Sequence, residues 1–252
     1  MRLLNRSTRS VSPTEAGIRL LARLNPAMRE IADALTEVSS LQDVPAGILR
    51  LTVPRPAARL LLAPMLAQFA ASYPRIQVEV VTDDGLVDVV GQGFDAGIRF
   101  GESLAKDMIA VPIGQPQRFA VVASPGFLGK KGIPILPRDL AAYDCICRRF
   151  PSGNQYAWEF SKDGNDVSIA VHGPLVLDDD EVMVRAALDG AGLAYAYEEH
   201  VRDAIAAGRL VSVLDDWCQS RARFFLYYPS RRQLPRALKA FVDAIRADVS
   251  SG

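Results

Sequence analysis

From residue 45 onward the chain alternates short β-branched runs with helical ones, and few folds accommodate that alternation. Residues 48–53 read as a strand, and Pro54, Arg55 and Pro56 break it before a helical run over 57–71. A second strand spans 76–81. The turn Asp83-Asp84-Gly85 then opens a short helix to about residue 90, and a third strand spans 94–100. This is a β-α-β-α-β half-unit, so the fold class expected is α/β.

A second set of elements follows the strand at 121–123: a loop-rich stretch, a short helix at 137–142, and a strand around Cys145. Tyr156, Trp158 and Phe160 alternate, Asp163 and Gly164 supply a turn, and Val167, Ile169 and Val171 alternate on the return, which predicts a β-hairpin. Residues 178–181, all acidic, lead into a helix over 182–188 that Gly190 and Gly192 terminate. Strands at 193–197, 210–214 and 222–228 and helices at 198–207 and 235–247 complete the pattern.

The front end differs. Residues 2–11 carry Arg2, Arg6 and Arg9, three hydroxyl residues and no acid, a composition suited to a nucleic-acid backbone. Ser12, Pro13 and Glu15 predict a helix start, with Ser12 as the cap and proline in the first helical position. Beyond it Leu21, Met28 and Leu35 recur every seven residues, and Leu24, Ile31 and Val38 form a second such set. Together they make the a/d seam of a helix that pairs with another, although such a seam also suits a helix lying on its own domain, and Pro26 bends it.

Composition decides where nucleic acid could be met. Net charge is zero over 252 residues, yet the first 23 hold five arginines and one acid, +4, which leaves −4 for the remainder. No stretch of 18 residues is uniformly apolar and no signal peptide precedes the first helix, so a cytoplasmic protein without a membrane partner is expected. Cys145, Cys147 and Cys218 are an odd number and read as buried reduced thiols. His172 and His200 have no partner at metal-ligand spacing. Neither a Gly-x-Ser-x-Gly elbow, nor a phosphate-binding loop, nor a dinucleotide glycine fingerprint is present. No enzymatic activity, catalytic residue, metal or cofactor is therefore expected.

Several phrases taken together identify a family. "RLLNRSTRSVSPTEAG", "GILRLTVP", "LLAPMLAQFAASYPRIQVEVV", "GFDAGIRFG" and "AALDGAGLAYAYEEHVRDAIAAGRLVSVL" resemble the LysR-type transcriptional regulators along the whole chain. The resemblance implies a winged helix-turn-helix, a dimerising linker helix and an effector-binding domain of two α/β lobes like the type II periplasmic binding proteins. On that reading residues 1–12 are the remnant of the wing, with the helix-turn-helix outside this sequence. Residues 13–44 are the linker helix, and 45–252 the effector domain, with lobe I at about 45–121 and 223–252 and lobe II at about 122–222. Arg6 and Arg9 match the wing and would touch DNA backbone in the full-length protein. A homodimer or homotetramer would form through Leu21, Leu24, Met28, Ile31, Leu35 and Val38. A solute-binding protein for transport is the second reading, since it shares the two-lobed architecture.

Topology and resemblance place the effector together. Ligands of open α/β sheets sit beyond the carboxyl ends of strands, where helix N-termini present free N–H groups. The residues at such ends are Arg55, Pro56 and Ala57, then Asp83 and Asp84, then Arg99, Phe100 and Gly101, while Trp158, Tyr195 and Tyr197 add aromatic candidates from the second lobe. In the family these strand ends line the cleft between lobes, and closure about crossovers near 121–124 and 222–225 would change the oligomer's geometry. Two arginines among rings suit a small organic or aromatic acid held bidentately. Alternatives stay open: Arg99 could pair with Asp83 or Asp84, Trp158 could pack the hairpin, both tyrosines could be core, and the acids leave room for a neutral or amine-bearing effector.

Overall fold

The structure, a computed structural model, describes residues 2–6, 11–21, 23, 24, 27, 28, 31, 44–85, 87–100, 108–219, 222–230 and 234–251. Along the chain its elements begin with β1 (Leu4–Arg6), β2 (Val11–Pro13) and α1, helical at 15–21 and at 23, 24, 27, 28 and 31. β3 (Gly47–Val53) leads into α2, made of Arg55–Ala57, a π-helical turn Ala58–Leu62 and Ala63–Ser72. β4 (Ile76–Thr82), β5 (Ala96–Phe100), β6 (Met108–Gln117), β7 (Phe119–Ala123) and α3 (Pro125–Lys131) follow. After a 3-10 turn at Pro137–Ala142 come β8 (Ile146–Arg148), β9 (Trp158–Lys162), β10 (Asn165–Ile169), β11 (Leu175–Leu177) and α4 (Asp180–Leu188). The rest is β12 (Ala194–Tyr197), α5 (Glu198–Ala206), β13 (Val211–Val213), β14 (Ala222–Pro229) and α6 (Arg236–Ser251).

Two compact units result. Unit 1 comprises Met1–Pro54, Leu61–Ile113 and Phe225–Gly252, and unit 2 comprises Arg55–Leu60 and Gly114–Phe224. A five-stranded sheet of order β4-β3-β5-β14-β6 organises unit 1, with β3 parallel to both β4 and β5. Leu49, Leu51, Thr52 and Val53 are all fully buried, because a parallel strand inside a sheet is covered on both faces. Phe69 of α2 meets Phe241 of α6 edge to face at 5.3 Å. Gly97 is required by its neighbour: a Cβ there would lie 2.5 Å from the Tyr227 ring.

Two expectations for unit 1 are corrected. Pro13 belongs to β2, paired with Leu4, so the first helix is capped by Thr14, whose hydroxyl accepts from Gly17 N at 3.1 Å, and not by Ser12. Among the described residues the short helix expected up to residue 90 does not form. The Asp88 carboxylate instead accepts from Gly91 N at 3.0 Å, and Gly93 turns at φ 71°, geometry that closes a turn.

Unit 2 is built around β7, antiparallel to β12 on one side and β13 on the other. Its side chains alternate between two cores. Ala120 and Val122 join Met183 and Ala187 of α4 and Val201 and Ala204 of α5, while Val121 and Ala123 join Trp158, Phe160 and Tyr195. The second core is closed by the β9–β10 hairpin, whose Asp163 (φ 51°) and Gly164 (φ 81°) are both left-handed, as a tight two-residue turn demands. β8 and β11 pair in parallel and deliver residue 148 beside the start of α4.

Candidate functional site

The densest charged cluster of unit 2 lies where α2 and α4 begin. Asp179 caps α4: its Oδ1 accepts from Glu181 N at 3.0 Å and Val182 N at 3.2 Å. Its Oδ2 faces two guanidinium groups, Arg55 at 3.3 Å and Arg59 at 3.4 Å. Arg55 also reaches Asp178 at 3.5 Å, and Arg59 reaches Glu181 at 3.2 Å. Burial opposes ionisation of Asp179, but the Val182 N–H and the two arginines outweigh it and hold the carboxyl below its ordinary range. Pro56 and Ala57 are buried at the foot of α2.

Beside this cluster Arg148 and Asp180 form a buried pair at 2.8 Å, and the Arg148 guanidinium lies 5.3 Å from the centre of the Phe150 ring. His200, near the start of α5, is partly buried with its ring edge-on to Tyr197 at 5.7 Å. Burial lowers its pKa; Arg59 and Arg148 lower it further, against Glu181 and Asp179. From this group the sequence offered Arg55, Pro56 and Ala57 as effector candidates and read the acidic run 178–181 as a helix start. Arg59 and Arg148 carry no local motif, because their carboxylate partners Asp179 and Asp180 lie 120 and 32 residues away.

The strand ends of unit 1 are occupied differently. Arg99 donates from Nη1 to the main-chain oxygen of Asp83 at 2.8 Å and from Nη2 to that of Gly85, so it braces the loop after β4. Its guanidinium also faces Tyr227, whose pKa burial raises and Arg99 pulls down. Asp83 is exposed, and its Oδ1 accepts from Gly85 N at 2.7 Å; Asp84 and Phe100 are half-buried. Gly101 lies outside the described residues.

The three aromatic candidates are core residues of unit 2. Trp158 is fully buried, and Tyr195 stacks on it at 5.4 Å and on Phe119 at 4.7 Å. The Tyr195 hydroxyl donates to the Glu159 carbonyl at 2.6 Å, and burial raises its pKa. Tyr197 is 2% exposed and tilts against Phe119. All three cysteines are buried. Burial pushes the Cys145 thiol up to about 12 and Cys218 up to about 11, so neither is a thiolate at neutral pH.

Of the seam residues, Leu21, Leu24, Met28 and Ile31 are helical and 42% to 62% exposed; Leu35 and Val38 lie outside the described residues. Arg6 lies on β1, and Arg9 is outside the described residues. Among the described residues no helix is long and apolar enough to cross a membrane. No group of three His, Cys, Asp or Glu side chains among them could hold a metal.

Comparison with known proteins completes the picture. Residues 42–250 match the family model of the LysR substrate binding domain. The chain is 43% identical over 246 residues to the uncharacterised HTH-type transcriptional regulator YcaN of Escherichia coli K12, covering 98% of this chain and 80% of that protein. To the HTH-type transcriptional regulator PgrR of the same organism it is 38% identical, covering 98% and 83%. The structure of CrgA, a LysR-type transcriptional regulator from Neisseria meningitidis, superimposes with a TM-score of 0.70 at 28% identity, covering 99% and 84%. Full-length AphB of Vibrio cholerae shares the fold, with a TM-score of 0.73 at 24% identity, covering 98% and 84%. The chain belongs to the LysR family of transcriptional regulators, and its α/β fold is that of the family's effector-binding domain.

Proposed function

We propose that this regulator senses a small organic or aromatic acid, and that Arg55 and Arg59 of unit 2 receive its acid group. The observation that carries this reading is the way those two charges are answered. Their partners are the side-chain carboxylates of Asp178, Asp179 and Glu181 at 3.2–3.5 Å and, for Arg55, the Asp178 main-chain oxygen at 3.4 Å, all longer than the 2.7–2.9 Å of a tight charge-assisted bond. Long ion pairs at partly exposed side chains contribute little, about 0–1 kcal/mol each, so an incoming carboxylate can replace them at small cost. The exposed Leu21, Leu24, Met28 and Ile31 pack against the same helix of a second copy, giving a homodimer or homotetramer. Leu35 and Val38 extend that seam, and Arg6 and Arg9 meet DNA phosphates. The protein works in the cytoplasm.

A thermal-shift screen of small carboxylates and aromatic acids, with amines and neutral sugars as controls, tests the reading, since a ligand bound to the native state raises the melting temperature. At least one acid should raise it, with the amines and sugars inert. A screen in which only amines act overturns the assignment of an acid.

A further inference from the structure

The buried polar atoms next to the Arg55–Arg59 cluster show how the sensing site is tuned. Both ring nitrogens of His200 and Nη1 of Arg59 are buried from solvent and have no hydrogen-bond partner among the described protein atoms. Buried polar groups are nearly always hydrogen-bonded, so three such atoms in one charged cluster mark a place built for a polar guest. The charges around it come from every side. Arg59 comes from the start of α2, Arg148 from β8, and Asp179 and Glu181 from the start of α4. On the histidine's own helix Glu198 is engaged by Arg118, and Glu199 by Arg202. Two cations thus face His200, and the acids facing it already pair with Arg59.

We infer that the carboxylate received by Arg55 and Arg59 also meets Arg148 and His200, and that His200 takes a proton from solvent when the anion arrives. The inference rests on the acid-sensing role proposed above and adds its regulation: effector affinity is coupled to pH through this histidine. In the free protein burial and the two arginines favour neutral imidazole. Neutral imidazole offers one donor and one acceptor. An oxyanion supplies acceptors only and neutralises the neighbouring cations, so it favours the imidazolium form, which donates from both nitrogens. Binding therefore consumes a proton, and affinity rises as pH falls through the anion-bound pKa towards the free one, by at most about tenfold per pH unit for one proton. Phosphate and carboxylate share the chemistry this seat would take, and the two are separated by experiment.

The chain has two histidines, which makes the test direct. Labelling the histidine rings gives one signal from His200 and one from exposed His172, to be titrated with pH alone, with sodium benzoate, and with inorganic phosphate. The expected result is that benzoate moves the midpoint of the His200 titration up by about one pH unit, with no shift for His172, and that Arg59→Gln abolishes the effect. A larger move with phosphate than with benzoate would identify the guest as a phosphate and overturn the carboxylate assignment. If benzoate raises the melting temperature while the His200 titration stays put, the seat is wrong although acid sensing survives. If neither anion alters melting or titration, the His200 seat is overturned, while acid sensing is judged by the wider carboxylate screen. His200→Gln guards against a folding artefact: it should keep a cooperative melting transition while making benzoate affinity independent of pH.

Discussion

Arg55 follows β3 and Arg99 lies in β5 of the same sheet, and the two settings differ in what answers the charge. In unit 1, Arg99 donates to the main-chain oxygens of Asp83 and Gly85, so it is part of a loop and cannot leave without uncovering backbone. In unit 2, Arg55 and Arg59 face side-chain carboxylates at 3.2–3.5 Å, and the one main-chain oxygen that Arg55 reaches, that of Asp178, lies at 3.4 Å against 2.8 Å for Arg99 on Asp83. The carboxylates can rotate away. The contrast teaches that residue type and position at a strand end do not make a ligand site; what the charge already holds decides whether it is free to exchange. Within unit 2 the same distinction recurs, since Arg148 pairs with buried Asp180 at 2.8 Å while the ion pairs of Arg55 and Arg59 are 3.2–3.5 Å long.

Four outcomes break or sharpen this contrast. The largest effect falls on the locked pair: Asp180→Ala removes the carboxylate paired with the buried Arg148 guanidinium and should cost about 3–5 kcal/mol in urea unfolding. A loss below about 1 kcal/mol would place Arg148 among the exchangeable arginines. Next, Arg99→Met removes two bonds to main-chain oxygens and should cost about 1–3 kcal/mol, with the protein still stabilised by its acid ligand. Arg55→Gln should change stability by less than about 1 kcal/mol, because its ion pairs are long and partly solvated, yet it should abolish ligand-induced stabilisation.

The smallest effect is on pH dependence. The folded-state pKa of His200 lies below its unfolded value near 6.5. Between those two values the unfolded chain binds more protons than the native one. Stability therefore rises with pH through that window and falls as the solution is acidified. His200→Gln should flatten the slope below pH 6.5 and leave it unchanged above. A slope of opposite sign for the parent chain would contradict a lowered His200 pKa, since Asp179, held below its ordinary range, contributes with the same sign as the histidine.

Much of the architecture was legible in the residues, and the failures have physical reasons. The hairpin turn at Asp163-Gly164 and the acidic start of α4 were readable because their chemistry is local: two left-handed residues, and a carboxylate on free N–H groups. β6 escaped because Pro112, Gly114 and Pro116 punctuate it as they would a loop. α3 escaped because Gly126 and Gly129 dilute its helical pattern, although Ser124 capping Phe127 N with Pro125 behind it was a usable start signal. The site was harder. Strand-end logic found Arg55 and Arg99 alike but could not tell them apart. The aromatic candidates Trp158, Tyr195 and Tyr197 had an alternative as core, and the structure packs them there. Arg59, Arg148 and His200 were invisible because only the fold brings them together.

The measurement that bears most directly on this contrast is calorimetric titration of the most stabilising carboxylate into three proteins: the parent chain, Arg55→Gln and Arg99→Gln. Loss of affinity by tenfold or more in Arg55→Gln, with Arg99→Gln within about twofold of the parent, is the outcome expected if unit 2 receives the acid. The reverse pattern, affinity kept without Arg55 and lost without Arg99, would contradict it.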